Sequence, residues 1–161
     1  MRLGCKMLTM RPASEADRSF VYDLFKANMK SYFDRHLPEK WSDEKFHRGY
    51  NPSRTTILEA KGKPVGFVDV EPRPEFLYVY VHNVQLHPTH HGGNFRQIAS
   101  LLEDIARKYQ CPALRGKVFR DNTHARGLLA HLGYEDIQDI TAEFSVGMEK
   151  RLSLCEEPSL I

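Results

Sequence analysis

Cysteine is scarce in this chain and badly placed for cross-linking: Cys5, Cys111 and Cys155 are odd in number and far apart, with no CxxC pair. That excludes a disulfide framework and a cysteine zinc site, and reduced thiols in a cytoplasmic protein are the expectation. Long apolar runs are missing too. No stretch approaches the roughly 18 apolar residues of a membrane span, and Met1-Arg2-Leu3-Gly4-Cys5-Lys6 lacks the apolar core of a signal peptide. Charge of one sign is also lacking. The 23 basic residues against 21 acidic ones leave +2, so no global field asks for nucleic acid. Repeats, low-complexity segments and long linkers are absent as well. The expectation is one soluble domain over residues 1–152, with neither a membrane nor a nucleic-acid partner, and a flexible tail over 153–161. What is present suits this: 161 residues, 41% apolar and 27% charged, suffice for a buried core.

The pattern of apolar residues predicts the elements. Residues 8–11 read as a short strand ended by Pro12. Ser14 reads as an N-cap, with Glu15 and Asp17 in the first turn where negative charge suits the helix dipole. Phe20, Val21, Leu24, Phe25 and Asn28 then give a one-sided helix to about Tyr32, followed by a polar loop over 35–40 containing Pro38. A second short helix starts near Ser42 and reaches about Tyr50. Residues 55–60 and 64–70 read as a hairpin around Lys61-Gly62-Lys63, and 71–75, with Pro72 and Pro74, as a break. Residues 76–86 are the longest strand, with Leu77, Val79 and Val81 in one phase but Val84 and Leu86 in the other. Side chains alternate with period two, so the slip predicts a β-bulge near His82-Asn83. Ile98, Leu101, Leu102, Ile105 and Ala106 form the stripe of a helix over 95–110. A strand over 113–118, a helix over 122–132 stopped by Gly133, and a last strand over 141–148 complete an α/β sheet with helices on its faces.

One segment carries candidate chemistry. Val84-Gln85-Leu86-His87-Pro88-Thr89-His90-His91-Gly92-Gly93-Asn94-Phe95-Arg96 joins the bulged strand to the strongest helix. A glycine-rich turn there presents unpaired backbone N–H groups at the positive end of a helix dipole, which suits a phosphate; a tight turn with no ligand is the competing reading.

This segment resembles motif A of the GNAT N-acetyltransferase superfamily, [Q/R]-x-x-G-x-[G/A] after an apolar strand. The stretch from Asn122 through Ala125, Leu128 and Leu129 to Gly133-Tyr134 resembles the family's N-x-x-A-x-x-[L/F]-Y-x-x-x-G-F, and Arg11-Pro12-Ala13 with Asp17 resembles its opening. The resemblance covers about residues 8–152. It implies a mixed, mostly antiparallel sheet with a bulged, splayed fourth strand and helices on both faces. It also implies acetyl-CoA as cofactor, along Val84, Gln85 and Leu86, with Val84 and Leu86 meeting the pantetheine through main-chain groups. His91, Gly92, Gly93, Asn94, Phe95 and Arg96 would hold the pyrophosphate, and Asn122 would sit near the far end of the arm.

The chain departs from the pattern at several positions. His91 stands where Gln or Arg is usual, Asn94 and Arg96 where the motif has small residues, and Leu129 where a tyrosine often protonates the departing thiolate. Asn tolerates positive φ better than most residues, so Asn94 is expected to keep the turn, with Gly93 sharing the task.

Attack on a thioester needs a neutral amine and therefore a base. The candidates are Glu71 after the third strand, and Tyr80 and His82 on the fourth; His82 leads because imidazole titrates near neutral pH. A histidine filling the bulge, and a solvated Glu71, are the competing readings. His87, His90 and His91 have no carboxylate or cysteine at matching spacing, so a polar turn is preferred to a metal site. Tyr32 and Trp41, with Tyr50, are candidates for the acceptor pocket. The resulting expectation is transfer of an acetyl group from acetyl-CoA to a small-molecule or peptide amine, in a ternary complex without a covalent enzyme intermediate. The alternative is a GNAT-like fold that has lost catalysis and binds. Dimers are common in the family, so a homodimer is among the implied partners.

Overall fold

The computed structural model describes residues 7–91 and 93–153. Cys5, Gly92, Cys155 and the expected tail from residue 154 lie outside the described residues. The described residues up to Val70, with His82–Gln97, form one compact unit; Glu71–Val81, with the described residues from Ile98, form a second.

The first unit begins with strand β1, Thr9–Pro12. Ser14 caps a short turn as expected: its hydroxyl accepts from Ala16 N while Asp17 accepts from Ser14 N, a reciprocal capping box. Helix α1 then runs Arg18–His36, one turn beyond the expected end. Pro38 sets the stop, because the residue before a proline is pushed out of the helical region, and Leu37 has ψ 135°. Helix α2 is Asp43–Gly49, capped by Ser42. Strands β2, Thr55–Ala60, and β3, Lys63–Arg73, form the expected hairpin, with a register shift between Leu58 and Glu59. Val21 and Leu24 of α1 bury against Ile57 and Phe67, and Phe25, Phe46 and Tyr50 pack onto that cluster. Strand β4 is Tyr78–Leu86. Gly66 lets it approach β3, since a Cβ there would meet Gln85 O at 2.5 Å.

Helix α3 is Phe95–Lys108; from Ile98 it belongs to the second unit, where Ile98, Leu102 and Ala106 are buried. Strand β5, Ala113–Phe119, helix α4, Thr123–His131, and strands β6, Glu135–Ile137, and β7, Ser145–Arg151, follow. The seven strands are ordered β1-β2-β3-β4-β5-β7-β6. The β4–β5 pair is parallel, and β1–β2, β2–β3, β5–β7 and β6–β7 are antiparallel. The fold is therefore the expected mixed α/β class with a mostly antiparallel sheet.

Three local expectations need correction. The break over 71–75 is absent: β3 continues through Glu71-Pro72-Arg73, and the chain turns only at Pro74–Phe76, with Leu77 at φ 63°. A strand accepts proline where the missing N–H is not required by the ladder. Phe76 and Leu77 belong to that turn rather than to β4. The last strand starts at Ser145, not residue 141, because its partner β5 fixes the register from Phe119↔Ser145 to Ala113↔Arg151. Strand β6 had no readable alternation in its three residues. The parallel register of β4 with β5 covers Val79–Val81 and ends just before His82-Asn83, where the bulge was expected, while β4 itself runs on to Leu86.

Candidate functional site

The first unit contains a cavity of about 270 Å³. Its apolar wall comes from Phe25 and Phe33 of α1, Trp41 on the following loop, Phe46 of α2, Tyr50 and Phe67. The periodicity of α1 puts Val21 and Phe25 inward together, and the rings pack on one another. Trp41 lies 5.4 Å from Phe25 and 5.6 Å from Phe33 between centroids, and Phe46 stacks on Tyr50 at 6.2 Å. Such pairs contribute about 0.5–1.5 kcal/mol each beyond burial. The polar wall comes from Arg54, Asp69, His82 and Asn83. Arg54 grips Asp69 with two bonds, Nε to Oδ1 at 2.6 Å and Nη2 to Oδ2 at 3.2 Å.

Two groups outside the wall hold it in place. Asp43 Oδ1 accepts from Trp41 Nε1 at 2.6 Å, Tyr22 Oη at 2.7 Å and Lys26 Nζ at 3.2 Å. Those donors, led by the indole, hold its carboxyl at about 2. Tyr50 Oη donates to Ser14 O at 2.8 Å, which ties the ring to the capping box. There Asp17 is buried and takes both Arg11 nitrogens, at 2.8 and 2.9 Å, and the guanidinium holds its carboxyl below the ordinary range.

The same β4 continues from His82 and Asn83 through Val84, Gln85 and Leu86 into the glycine turn. Val84 is half-buried, while Gln85 and Leu86 are buried. Gln85 accepts from Asn28 Nδ2 and donates to Asn83 Oδ1, at 3.1 and 3.2 Å. His91 Nε2 donates to Leu86 O at 2.9 Å, so the histidine at the usual Gln/Arg position closes the turn onto the strand. Gly93 is exposed at φ 76°. Asn94 corrects an expectation: it is not among the positive-φ residues but is buried, donating to His90 O at 2.6 Å and accepting from Gln97 Nε2 at 3.2 Å. Gln97 in turn accepts from Leu8 N at 2.9 Å. The turn is thus held by side-chain amides, and Gly93 supplies the left-handed backbone. Phe95 opens α3 half-buried against the His91 ring at 5.6 Å, and Arg96 is exposed. The first turn of α3 carries no acid. His87 and His90 both face the Thr89 hydroxyl, at 2.8 and 2.9 Å.

Trp41 and His82 therefore share one cavity, with Tyr50 beside them. Tyr32 is not among its lining residues; it lies on α1 with Arg35 above its ring at 4.9 Å. Phe25, Phe33 and Phe46 were missed because helical apolar spacing reads as ordinary core, and the Arg54–Asp69 pair because it forms only once β2 and β3 are in register. The remaining candidates belong to the second unit. Glu71 is inside β3, not after it, and accepts from Arg73 at 2.9 Å. Tyr80 has the same guanidinium 4.8 Å above its ring, and burial raises its hydroxyl's pKa. Asn122 caps α4, its Oδ1 accepting from Ala125 N at 3.2 Å. Leu129 O accepts from Tyr134 N at 2.9 Å, and burial raises the Tyr134 hydroxyl well above the ordinary phenol range.

Comparison with known proteins gives a consistent picture. The model of the GNAT acetyltransferase family matches residues 19–134. Among solved structures, the chain resembles the PaiA N-acetyltransferase of Thermoplasma acidophilum in complex with coenzyme A, at 14% identity and TM-score 0.70, over 90% of this chain and 99% of that one. It resembles the ribosomal-protein alanine N-acetyltransferase of Escherichia coli at 18% identity and TM-score 0.66, over 94% and 98%. It also resembles N-acetylglutamate synthase of Neisseria gonorrhoeae complexed with coenzyme A and N-acetyl-glutamate, at 17% identity and TM-score 0.71, over 91% of this chain but 35% of the synthase. At these identities the likeness is one of fold. No curated protein matches the chain by sequence.

Proposed function

Since the chain belongs to the GNAT acetyltransferase family, we propose that it moves an acetyl group from acetyl-CoA to a primary amine by direct attack in a ternary complex. The observation that carries this is the course of β4. Within one unit the strand passes from the cavity wall, at His82 and Asn83, to an acid-free turn at the start of a 14-residue helix. At about 3.3 Å per residue, His82 and Leu86 are roughly 13 Å apart along the strand. One end suits an amine, the other an anion.

The residues at the turn fit the pyrophosphate of coenzyme A. Gly93 is exposed, Arg96 adds a cation, and no carboxylate occurs from Val84 to Arg96. Gly93, Asn94, Phe95 and Arg96 would hold it, and Val84 would meet the arm along the strand. Coenzyme A in the Thermoplasma acidophilum and Neisseria gonorrhoeae structures supports the assignment. Acetyl-CoA, when bound, supplies the acetyl thioester. The cavity holds and orients the amine, its rings keep water away, and a ring nitrogen of His82 takes the proton that the amine loses. Leu129 offers no acid for the departing thiolate, so the proton that His82 takes from the amine would be the one returned to that sulfur as the thioester C–S bond breaks. Glu71 is committed to Arg73, and Tyr80, whose pKa burial raises, keeps its hydroxyl proton near neutral pH, so neither is as ready a base.

Calorimetric titration with acetyl-CoA tests the first half, with thiol release over an amine panel for the second. Micromolar binding, about −8 kcal/mol, followed by amine-dependent thiol release supports the proposal. Absence of heat would assign the fold a non-catalytic binding role.

A further inference from the structure

Resting on that acyl-transfer reading, we propose that the acceptor is a small primary amine carrying one aromatic or bulky apolar group and no second positive charge. The volume comes first. About 270 Å³ is just below the roughly 300–1,000 Å³ typical of ligand pockets, so the ligand is about one ring with a short arm. The wall comes second. Phe25, Phe33, Trp41, Phe46, Tyr50 and Phe67 supply six aromatic side chains, which favour an apolar body and can take one ammonium over a ring face.

Charge decides the rest. Among the described lining residues, Asp69 is the one carboxylate, and Arg54 already grips it twice. Lys40 adds a cation to the lining, while Lys45 pairs with Glu39 outside it and Arg54 and Asp69 offset each other. A polyamine or aminoglycoside would strip water from further ammonium groups and find cations in place of carboxylates. A single amine avoids this by keeping its one charge near His82 and Asn83. An added acid on the ligand would be welcomed by Lys40, so a plain arylalkylamine and an aromatic amino acid share the recognised chemistry.

Trp41 is the chain's one tryptophan, so its emission reports cavity occupancy without any acetyl transfer. The full-length protein is titrated with phenethylamine, L-phenylalanine, spermidine and kanamycin, in parallel with acetyl-CoA calorimetry. The expected result is a saturable emission change with phenethylamine or L-phenylalanine, at concentrations roughly tenfold or more below those for spermidine and kanamycin. Tighter binding of L-phenylalanine than of phenethylamine identifies the acid-bearing source. The Lys45→Glu variant changes an exposed side chain and should narrow the gap to spermidine. Spermidine or kanamycin binding as tightly as phenethylamine overturns the proposal, as does a silent Trp41 when acetyl-CoA gives normal heat. A normal Trp41 response without acetyl-CoA heat instead removes the acceptor role and leaves the ligand class standing.

Discussion

The cavity and the turn that follows β4 are built by different means. The cavity gathers rings from α1, α2 and the loop between them, and polar groups from β2, β3 and β4, so residues 21 to 83 meet there. The turn takes its shape from one contiguous stretch, pinned by His91, Asn94 and Gln97 and bent at Gly93. On the proposed reading, a change of ring or charge in the cavity would alter which amine fits and leave the anion end alone. A change in the turn would alter acetyl-CoA binding for every amine alike. Selectivity and cofactor affinity should therefore be separable by mutation.

The largest effect tests the cavity's chemistry. His82→Ala should lower turnover by roughly 100-fold or more with unchanged acetyl-CoA heat; a rise in KM at constant kcat would make His82 merely part of the wall. In the turn, Asn94→Leu strands His90 O and the Gln97 amide. It should cost about 1–3 kcal/mol in denaturant unfolding and weaken acetyl-CoA binding, while Trp41 titrations with phenethylamine stay as before. Movement of both would break the separation. Gly93→Val should be milder for stability, about 1–2 kcal/mol for a left-handed site at φ 76°, again with the loss confined to acetyl-CoA.

Acid should loosen the cavity side through the capping box. The pKa of Asp17 is depressed in the folded state, so its pairing with Arg11 stabilises fully above the ordinary carboxylate range and is lost as pH falls through the folded value. Asp17→Asn should lower stability near neutral pH by about 2 kcal/mol and flatten the acid limb of a denaturation series. The smallest effect belongs to Asp43→Asn, which loosens the Trp41 indole. A shifted emission spectrum with slightly higher KM for aromatic amines is expected, with acetyl-CoA heat unchanged.

Single residues show where sequence reading reached and where it stopped. Ser14 and Asp17 act within four positions, so the capping box was legible, as was the α3 stripe. Gly93 was legible as a turn glycine. Asn94 was legible as a turn residue but not in its means, because it acts through a buried amide bonded to His90 O and Gln97 Nε2 rather than through a positive φ. Pro72 misled, since whether a strand tolerates proline depends on which edge of the ladder its missing N–H faces. Thr141 misled likewise: its hydroxyl donates to Ile137 O and accepts from Gly147 N at 2.9 Å, outside any strand.

The sequence by itself determined the order of elements other than β6, the Ser14 cap, the glycine turn and the resemblance of both motifs to the family, because each rests on residues a few positions apart. Tertiary structure alone decided that Trp41 and His82 share a cavity, that Tyr32 is not part of its wall, and that Asp69 is spoken for by Arg54. Those facts depend on strand register and on which face of α1 is buried, and both are fixed by packing between residues distant along the chain.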